Sequence, residues 1–424
     1  MLLRSGYPRY EEYDKKTEEM IHSIKHSGLL SWGITFWVLF LIACTDMRKD
    51  KSDNATSSIL KNSDLPVLNF EVKLLALDAN EACEIADYNN DGMLDISAGR
   101  NWYAGPDYVP RPLRDVGEFG KDYLENNGEH AFDVDGDGWT DIVAGSFIPT
   151  EVYWYKNPGK EGLAIGKLWS RQVLQETASQ NEISFLYDFN GDSKPEYIAN
   201  SWEQTNQQLI WEIEAKGPDF TMQKHVVGSA NGHGIGFGDI NGDDLDDLLF
   251  QDGWYEHPQG DPMKEPWTLH SDWNWKHSSC PMIVTDLNGD ARNDVIRGNG
   301  HNYGVYWMEQ LAAKDGKTQW KQHIIDDSWS QAHALAWADL DGDGKKDLIT
   351  GKRVRAHSGK DPGSDEPAML YCYSWNINTM SFNKRIIAEG VGTGLFIRTD
   401  DLDKNGKLDI VVSGKSGTYL LLNQ

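Results

Sequence analysis

The chain has 424 residues, enough for one large all-β domain or two ordinary ones. Its 40 basic against 66 acidic residues give a formal charge of −26, but many of the acids fall in repeated loops where bound cations would neutralise them, so the bulk figure says little about partners; no nucleic-acid module is evident in the sequence. The cysteines Cys44, Cys83, Cys280 and Cys372 have no metal-site spacing and argue against a disulfide framework; the last three read as small buried hydrophobes.

Residues 31–44, SWGITFWVLFLIAC, form an apolar run too short to span a bilayer and preceded by Lys25 and His26, the profile of a signal peptide. Its end, Leu41-Ile42-Ala43-Cys44, resembles a bacterial lipobox, which implies lipidation of Cys44. Residues 1–44 therefore read as a signal peptide, with Met20 as a candidate start. The mature protein is expected to be exported and lipid-anchored, periplasmic or at the cell surface, and an uncleaved membrane anchor is the alternative. Residues 45–65 are polar, with almost nothing to bury, and read as a flexible tether.

From residue 66 a nine-residue pattern returns seven times, most regularly as Asp133-Val134-Asp135-Gly136-Asp137-Gly138-Trp139-Thr140-Asp141. The other copies start at Asp87, Asp188, Asp239, Asp286, Asp339 and Asp401. Carboxylate or amide oxygens fall at positions 1, 3, 5 and 9, with a glycine near the turn. Calcium takes about six to eight oxygens, and alternate side chains of a tight loop supply them. The expected ligands are Asp87, Asn89, Asp91 and Asp95; Asp133, Asp135, Asp137 and Asp141; Asp188, Asn190, Asp192 and Glu196; and Asp239, Asn241, Asp243 and Asp247. In the last three loops they are Asp286, Asn288, Asp290 and Asp294; Asp339, Asp341, Asp343 and Asp347; and Asp401, Asp403, Asn405 and Asp409. No Glu follows at position 12, so each is a loop between strands rather than an EF-hand. Calcium is expected to be structural.

A self-similar unit of about 40–50 residues marks a propeller or array. Each unit has an apolar run into the loop (233–239), another out of it (246–253), an aromatic strand (254–258) and a last strand (267–272), four strands that read as one blade. The seventh unit supplies three strands before the chain ends, and FEVKLLA (70–76) matches the fourth strands WKQHIID (320–326) and FNKRIIA (382–388). The expected fold is an all-β, seven-bladed β-propeller over 66–424, its ring closed by the N-terminal strand (about 67–77) pairing with the last blade. This unit resembles the FG-GAP/VCBS repeat family of calcium-loop β-propellers, whose blades serve adhesion, glycan binding and catalysis alike.

If the loops mark one end of the ring, residues before strand one and between strands two and three mark the other. That end collects Tyr123, His130, Asn181, Glu182, His233, His277 and His333 from the first position. From the second it collects Arg100, Trp202, Arg297, His301, Tyr303, Lys352, Arg353, Arg355, His357 and Lys415. His233 and His333 each stand six residues before a loop's first aspartate, so both are expected at the channel mouth, where rim histidines could hold a further divalent metal.

The longest irregular segment there, KRVRAHSGKDPGSDEP (352–367), resembles an insertion in a subset of bacterial propellers. That subset is similar to the propeller part of aldos-2-ulose dehydratase and to propeller-type polysaccharide lyases, which implies sugar chemistry. Glycoside hydrolysis needs two facing acids, and the acids here are committed to loops. β-Elimination instead needs a base, an acid and groups that stabilise an enolate.

The expectation is thus a carbohydrate carbon–oxygen lyase, a polysaccharide lyase or oligosaccharide dehydratase acting on uronate-containing glycans. His333 or His233 would be base and Tyr123 or His130 acid. Arg100, Arg297, His301, Tyr303, Lys352, Arg353, Arg355 and His357 would bind substrate, with Trp202 or Trp254 stacking on a sugar. The partner would be an anionic poly- or oligosaccharide and the chain a monomer. The alternative is a non-catalytic surface lipoprotein that binds a glycan or a protein.

Overall fold

The computed structural model describes residues 66–424 apart from 121, 178, 217 and 218. The expected signal peptide, Cys44 and the tether 45–65 lie outside the described residues. Among those described, no helix is long and apolar enough to cross a membrane.

The protein is almost entirely β, with five four-stranded sheets, one eight-stranded sheet and a two-stranded ribbon. The eight-stranded sheet is two four-stranded units joined by a parallel contact in which Gly236 and Phe237 pair with Met282 and Ile283. We number the seven units as blades 1–7 by the loop each carries. The strand Phe70–Ala76 pairs antiparallel with Gly417–Asn423, Lys73 opposite Leu420, and so completes the sheet of blade 7 from the other end of the chain. Such pairing covers the sheet edge that the three C-terminal strands would otherwise leave open.

Within a blade, burial follows position. Every second strand opens on the loop's ninth-position acid and is buried throughout, as in Asp141–Gly145 (DIVAG) and Asp409–Gly414 (DIVVSG). These strands lie between blade neighbours, so both faces are covered and the sequence runs apolar rather than alternating. The fourth strands face outward and alternate, for example Ser170–Glu176 (SRQVLQE).

First strands line the axis. There Phe185 of blade 3 meets Phe237 of blade 4 and Phe396, next to blade 7, with both centroid separations 5.6 Å. These aromatic rings line a cavity on the axis, with Met282, Leu335 and Trp337 beside them.

The loops fold as the repeat predicts, and their hydrogen bonds explain why. In the second loop both oxygens of Asp133 accept backbone N–H groups, from Gly136 and Asp137 on one and Gly138 on the other. The ninth-position acids Asp95, Asp141, Asp247, Asp294 and Asp409 turn inward and accept two backbone N–H groups each, one from the loop's second residue and one from strand three or just beyond it. In Glu196 and Asp347 a side chain, Asn190 or Ser374, replaces the second backbone donor. The ninth-position acid thus also staples the loop to the sheet.

Candidate metal centre

At the end of the ring opposite the loops, four buried side chains from consecutive blades converge. Glu182 precedes the first strand of blade 3, His233 that of blade 4, His301 sits in the turn between strands two and three of blade 5, and His333 lies on the first strand of blade 6. One ligand atom from each lies within 4.8 Å of all the others. His233 and His301 oppose their Nε2 atoms at 2.8 Å, and Glu182 Oε1 is 3.1 Å from His333 Nε2 and 3.9 Å from His233 Nε2.

Close approach here depends on glycine. A Cβ on Gly300 would stand 2.7 Å from the His333 ring and 3.3 Å from His233, so only a bare backbone fits beneath the imidazoles. Gly234, at φ +86, lets the chain turn just after His233, where a Cβ would meet Ser278 at 2.7 Å.

The hydrogen bonds fix which nitrogen carries the proton. His233 Nδ1 is 2.9 Å from the Ser278 carbonyl oxygen, an acceptor only, so Nδ1 donates and Nε2 presents a lone pair. His301 Nδ1 lies 2.8 Å from Asp361 Oδ2, with the same consequence. The two Nε2 atoms therefore face each other across 2.8 Å, a contact that needs a cation between or beside them: a proton on one ring, which makes it an N–H···N hydrogen bond, or a metal ion. Burial and the neighbouring His301 push His233 well below the ordinary histidine range, so His233 presents its Nε2 lone pair. Burial, then the Arg353 charge, push His333 down to about 4, and its Nδ1 is buried without a hydrogen-bond partner. Three imidazoles and a carboxylate form a donor set that suits a divalent transition metal, once His333 gives up the Nε2 proton it shares with Glu182.

Glu182 is kept ionised. Burial opposes its charge, but the hydrogen bond with His333 and the Arg353 guanidinium outweigh it and hold the carboxyl well below the usual range. Arg353 gives Nη1 to Glu182 Oε1 at 2.9 Å, and Nε and Nη2 to the two oxygens of Glu81 at 3.0 and 2.8 Å. Lys415 lies beside this pair, its ammonium 3.9 Å from Glu81 and 3.6 Å from the Tyr123 ring centre. Burial lowers Lys415 to about 8.

Above the cluster, the segment 353–367 supplies a second layer. His357 stacks on His301, with centroids 4.3 Å apart and planes 6° from parallel, and both rings turn Nδ1 to Asp361. His277 borders them, 5.3 Å from His301 and 5.8 Å from His233.

Of the residues singled out in the sequence, His233, His301, His333 and His357 come together here, and His233, His301 and His333 are grouped with Glu182 so that they could hold a metal ion. The others are placed differently, each for a physical reason. Arg353 is buried and all its donors serve Glu81 and Glu182, so it orients Glu182 instead of binding substrate. Arg100 pairs with Glu118 at 2.9 Å and Arg355 with Asp122 at 3.3 Å.

Arg297 is buried in blade 5 over the Tyr306 ring, far enough from water that burial lowers it to about 10. Lys352 is buried and bonds Ser330 Oγ and Gln331 Oε1, and Tyr303 gives its hydroxyl to Glu366 at 2.6 Å. His130 packs edge-on against Phe396 on the axis and meets Ser184 Oγ at 3.1 Å, a structural role in place of the expected acid. Tyr123 is half-buried between Lys415 and Phe147, and burial raises its hydroxyl far from a useful acid. Trp254 is buried in blade 4 and stacked on His270, so it cannot stack on a sugar; Trp202 remains partly exposed.

Glu81, Glu182 and Asp361 carry the site beyond what the sequence reading assigned. A signal existed for two of them. The position six before each loop reads Glu81, Asn127, Glu182, His233, Cys280, His333 and Leu395, so the register that marks the two histidines also marks both glutamates. Asp361 has no such register.

At the other end, oxygens gather in three loops: Asp133, Asp135 and Asp141; Asp339, Asp341 and Asp343; and Asp401, Asp403 and Asp409. These all-oxygen sets fit calcium. In two of these loops a basic side chain reaches the acids, Lys156 at Asp135 and Asp137 and Arg385 at Asp341.

Fold and site together define a β-propeller with a carboxylate–histidine centre at one end of its axis. Within that class the chain carries FG-GAP-like repeats, matched over residues 133–199 and 286–350. No protein of curated function matches the sequence. Among solved structures, one described as BBS1N in complex with ARL6DN, soaked with lead, aligns at 9% identity with a TM-score of 0.49, covering 84% of this chain and 97% of that one.

Proposed function

We propose that the chain is an exported carbohydrate carbon–oxygen lyase whose reaction centre is a divalent cation held by Glu182, His233, His301 and His333. The observation that carries this reading is the convergence of four buried donors, Glu182, His233, His301 and His333, with one ligand atom of each within 4.8 Å of all the others. A cation bound there draws electron density from a carbonyl or carboxylate oxygen, acidifying the adjacent C–H.

The chain's own residues do the rest. Glu81 and Arg353 fix Glu182, and Asp361 fixes His301. Hydrolysis by paired acids has less support, because Glu81 and Glu182 are both bound to Arg353. With Arg100, Arg353 and Arg355 all paired to carboxylates, the acid group of a uronate-containing poly- or oligosaccharide finds its counter-charge in the cation. Calcium in the loops would be structural, and lipidation at Cys44 would hold a monomer at the membrane.

The test is to load the full chain with Co2+, Zn2+ or Mn2+, measure stoichiometry, and follow ultraviolet absorbance of a new C=C bond on uronate polysaccharides and oxo-oligosaccharides. One transition-metal ion per chain, and turnover abolished in His233→Ala, support the reading. Glycan binding without turnover across the panel favours a binding lipoprotein.

A further inference from the structure

With three histidines and the glutamate drawn inward as ligands, the chemistry still needs a group that moves a proton. That group must reach substrate from the solvent side. His357 is the side chain so placed. It is 58% exposed, while His301 directly beneath it is 7% exposed.

Its orientation is set from both sides. Asp361 Oδ1 accepts from His357 Nδ1 at 2.9 Å, and the parallel His301 ring supports its face. Both rings give Nδ1 to one carboxylate, so both Nε2 atoms point away from it: that of His301 at His233, and that of His357 one ring layer further out. No hydrogen-bond partner for His357 Nε2 is found among the described residues. The backbone holds this position against its preference, with Arg355, His357 and Ser358 at φ 53, 49 and 56. Strain of this kind persists where surrounding contacts over-determine it and concentrates at functional sites.

We propose that the His357–Asp361 pair is the proton-transfer dyad of the centre, His357 Nε2 taking a proton from the substrate carbon next to the carbonyl or carboxylate. This rests on the lyase reading. The step balances without oxidant or reductant. The C–H electron pair becomes the new C=C bond, the C–O bond at the neighbouring carbon breaks with its pair on oxygen, and the imidazolium returns the proton to that oxygen, which leaves as alcohol or water. Asp361 stays ionised throughout and steadies the imidazolium.

The experiment compares metal-loaded full chain with His357→Ala, each with and without added imidazole, and counts metal in both. The expected result is a kcat lower by about 10²–10⁴-fold in the variant, little change in KM, unchanged metal content and partial recovery with imidazole. Turnover in His357→Ala equal to that of the unaltered chain overturns the dyad and leaves the lyase reading standing. Loss of metal from the variant overturns it by making His357 a ligand, and a loss of turnover that imidazole does not relieve reduces it to support for the segment. No turnover by the unaltered chain, on any substrate of the panel, overturns both.

Discussion

The two ends of the ring are built from the same strands yet follow opposite rules. At the loop end one pattern is repeated seven times, and the first- and ninth-position acids accept backbone N–H groups of their own blade. At the other end no single residue type runs round the ring: the shared register holds glutamate twice, histidine twice and three other residues, and the contacts run between blades, His233 to His301, Glu182 to His333, Arg353 to Glu81. Repetition therefore marks what a blade needs to fold, and departure from repetition marks what the assembled ring does.

That contrast breaks most visibly if a ligand is removed. His301→Ala should weaken Co2+ binding by on the order of 100-fold or more, at or beyond the 10–100-fold cost of losing an outer partner. Its melting should stay close to that of the unaltered chain. Asp361→Asn should fall short of that loss, because the ligands remain and only their orientation suffers. Titration calorimetry or the cobalt absorption band checks both.

The converse holds at the loops. Asp247 accepts N–H groups from Ile240 at 2.7 Å and His257 at 2.9 Å while fully buried. Asp247→Ala leaves both donors without partners, each worth about 1–3 kcal/mol. Urea unfolding should show that loss with cobalt affinity unchanged. If instead cobalt binding falls in step, the two ends are coupled and the division of roles between them fails.

How far this division could be read from the sequence depends on periodicity. The all-β fold, the loops and the pairing of Phe70–Ala76 with the last strand all follow from residues that recur or from a recurrence visibly missing. His233 and His333 were found because two copies of one register share a residue type. Glu81 and Glu182 share that register but looked like two more acids in an acidic chain. Whether Arg353 faces a substrate or a carboxylate depends on a partner 272 residues away, which no local pattern encodes. Trp254 and Arg297 failed for the opposite reason: residue type suggested a surface, and the blade's tertiary packing buried them.

Calcium sharpens the comparison at a smaller scale. A cation that binds only the folded state stabilises it by about 2.7 kcal/mol at a free concentration 100 times its dissociation constant. Chelation by EGTA should lower the melting temperature, and excess Ca2+ alone should restore it. Lys156→Ala should enlarge that drop, since the lysine at Asp135 and Asp137 supplies positive charge to the second loop. An unchanged melting curve on chelation removes calcium from the loops.

The smallest effect comes from the outer faces of blades 5 and 6, which belong to neither end. Asp326 accepts from Ser328 N at 2.9 Å, Ser328 Oγ at 2.6 Å and Tyr373 Oη at 2.7 Å, with the Lys384 ammonium at 2.6 Å. Burial works against its charge, but Lys384 and the Ser328 hydrogen bonds outweigh it and hold the carboxyl down at about 2. Because the folded value lies below the unfolded value, the carboxylate stabilises the fold fully above about pH 4 and loses that contribution as pH falls towards 2. Asp326→Asn should be less stable at neutral pH by about 1–3 kcal/mol, and the gap should close between about pH 4 and 2. A gap that persists to low pH assigns the loss to packing instead of charge. Neither outcome should alter the response to EGTA or the affinity for cobalt, because this carboxylate touches neither the loops nor the histidines.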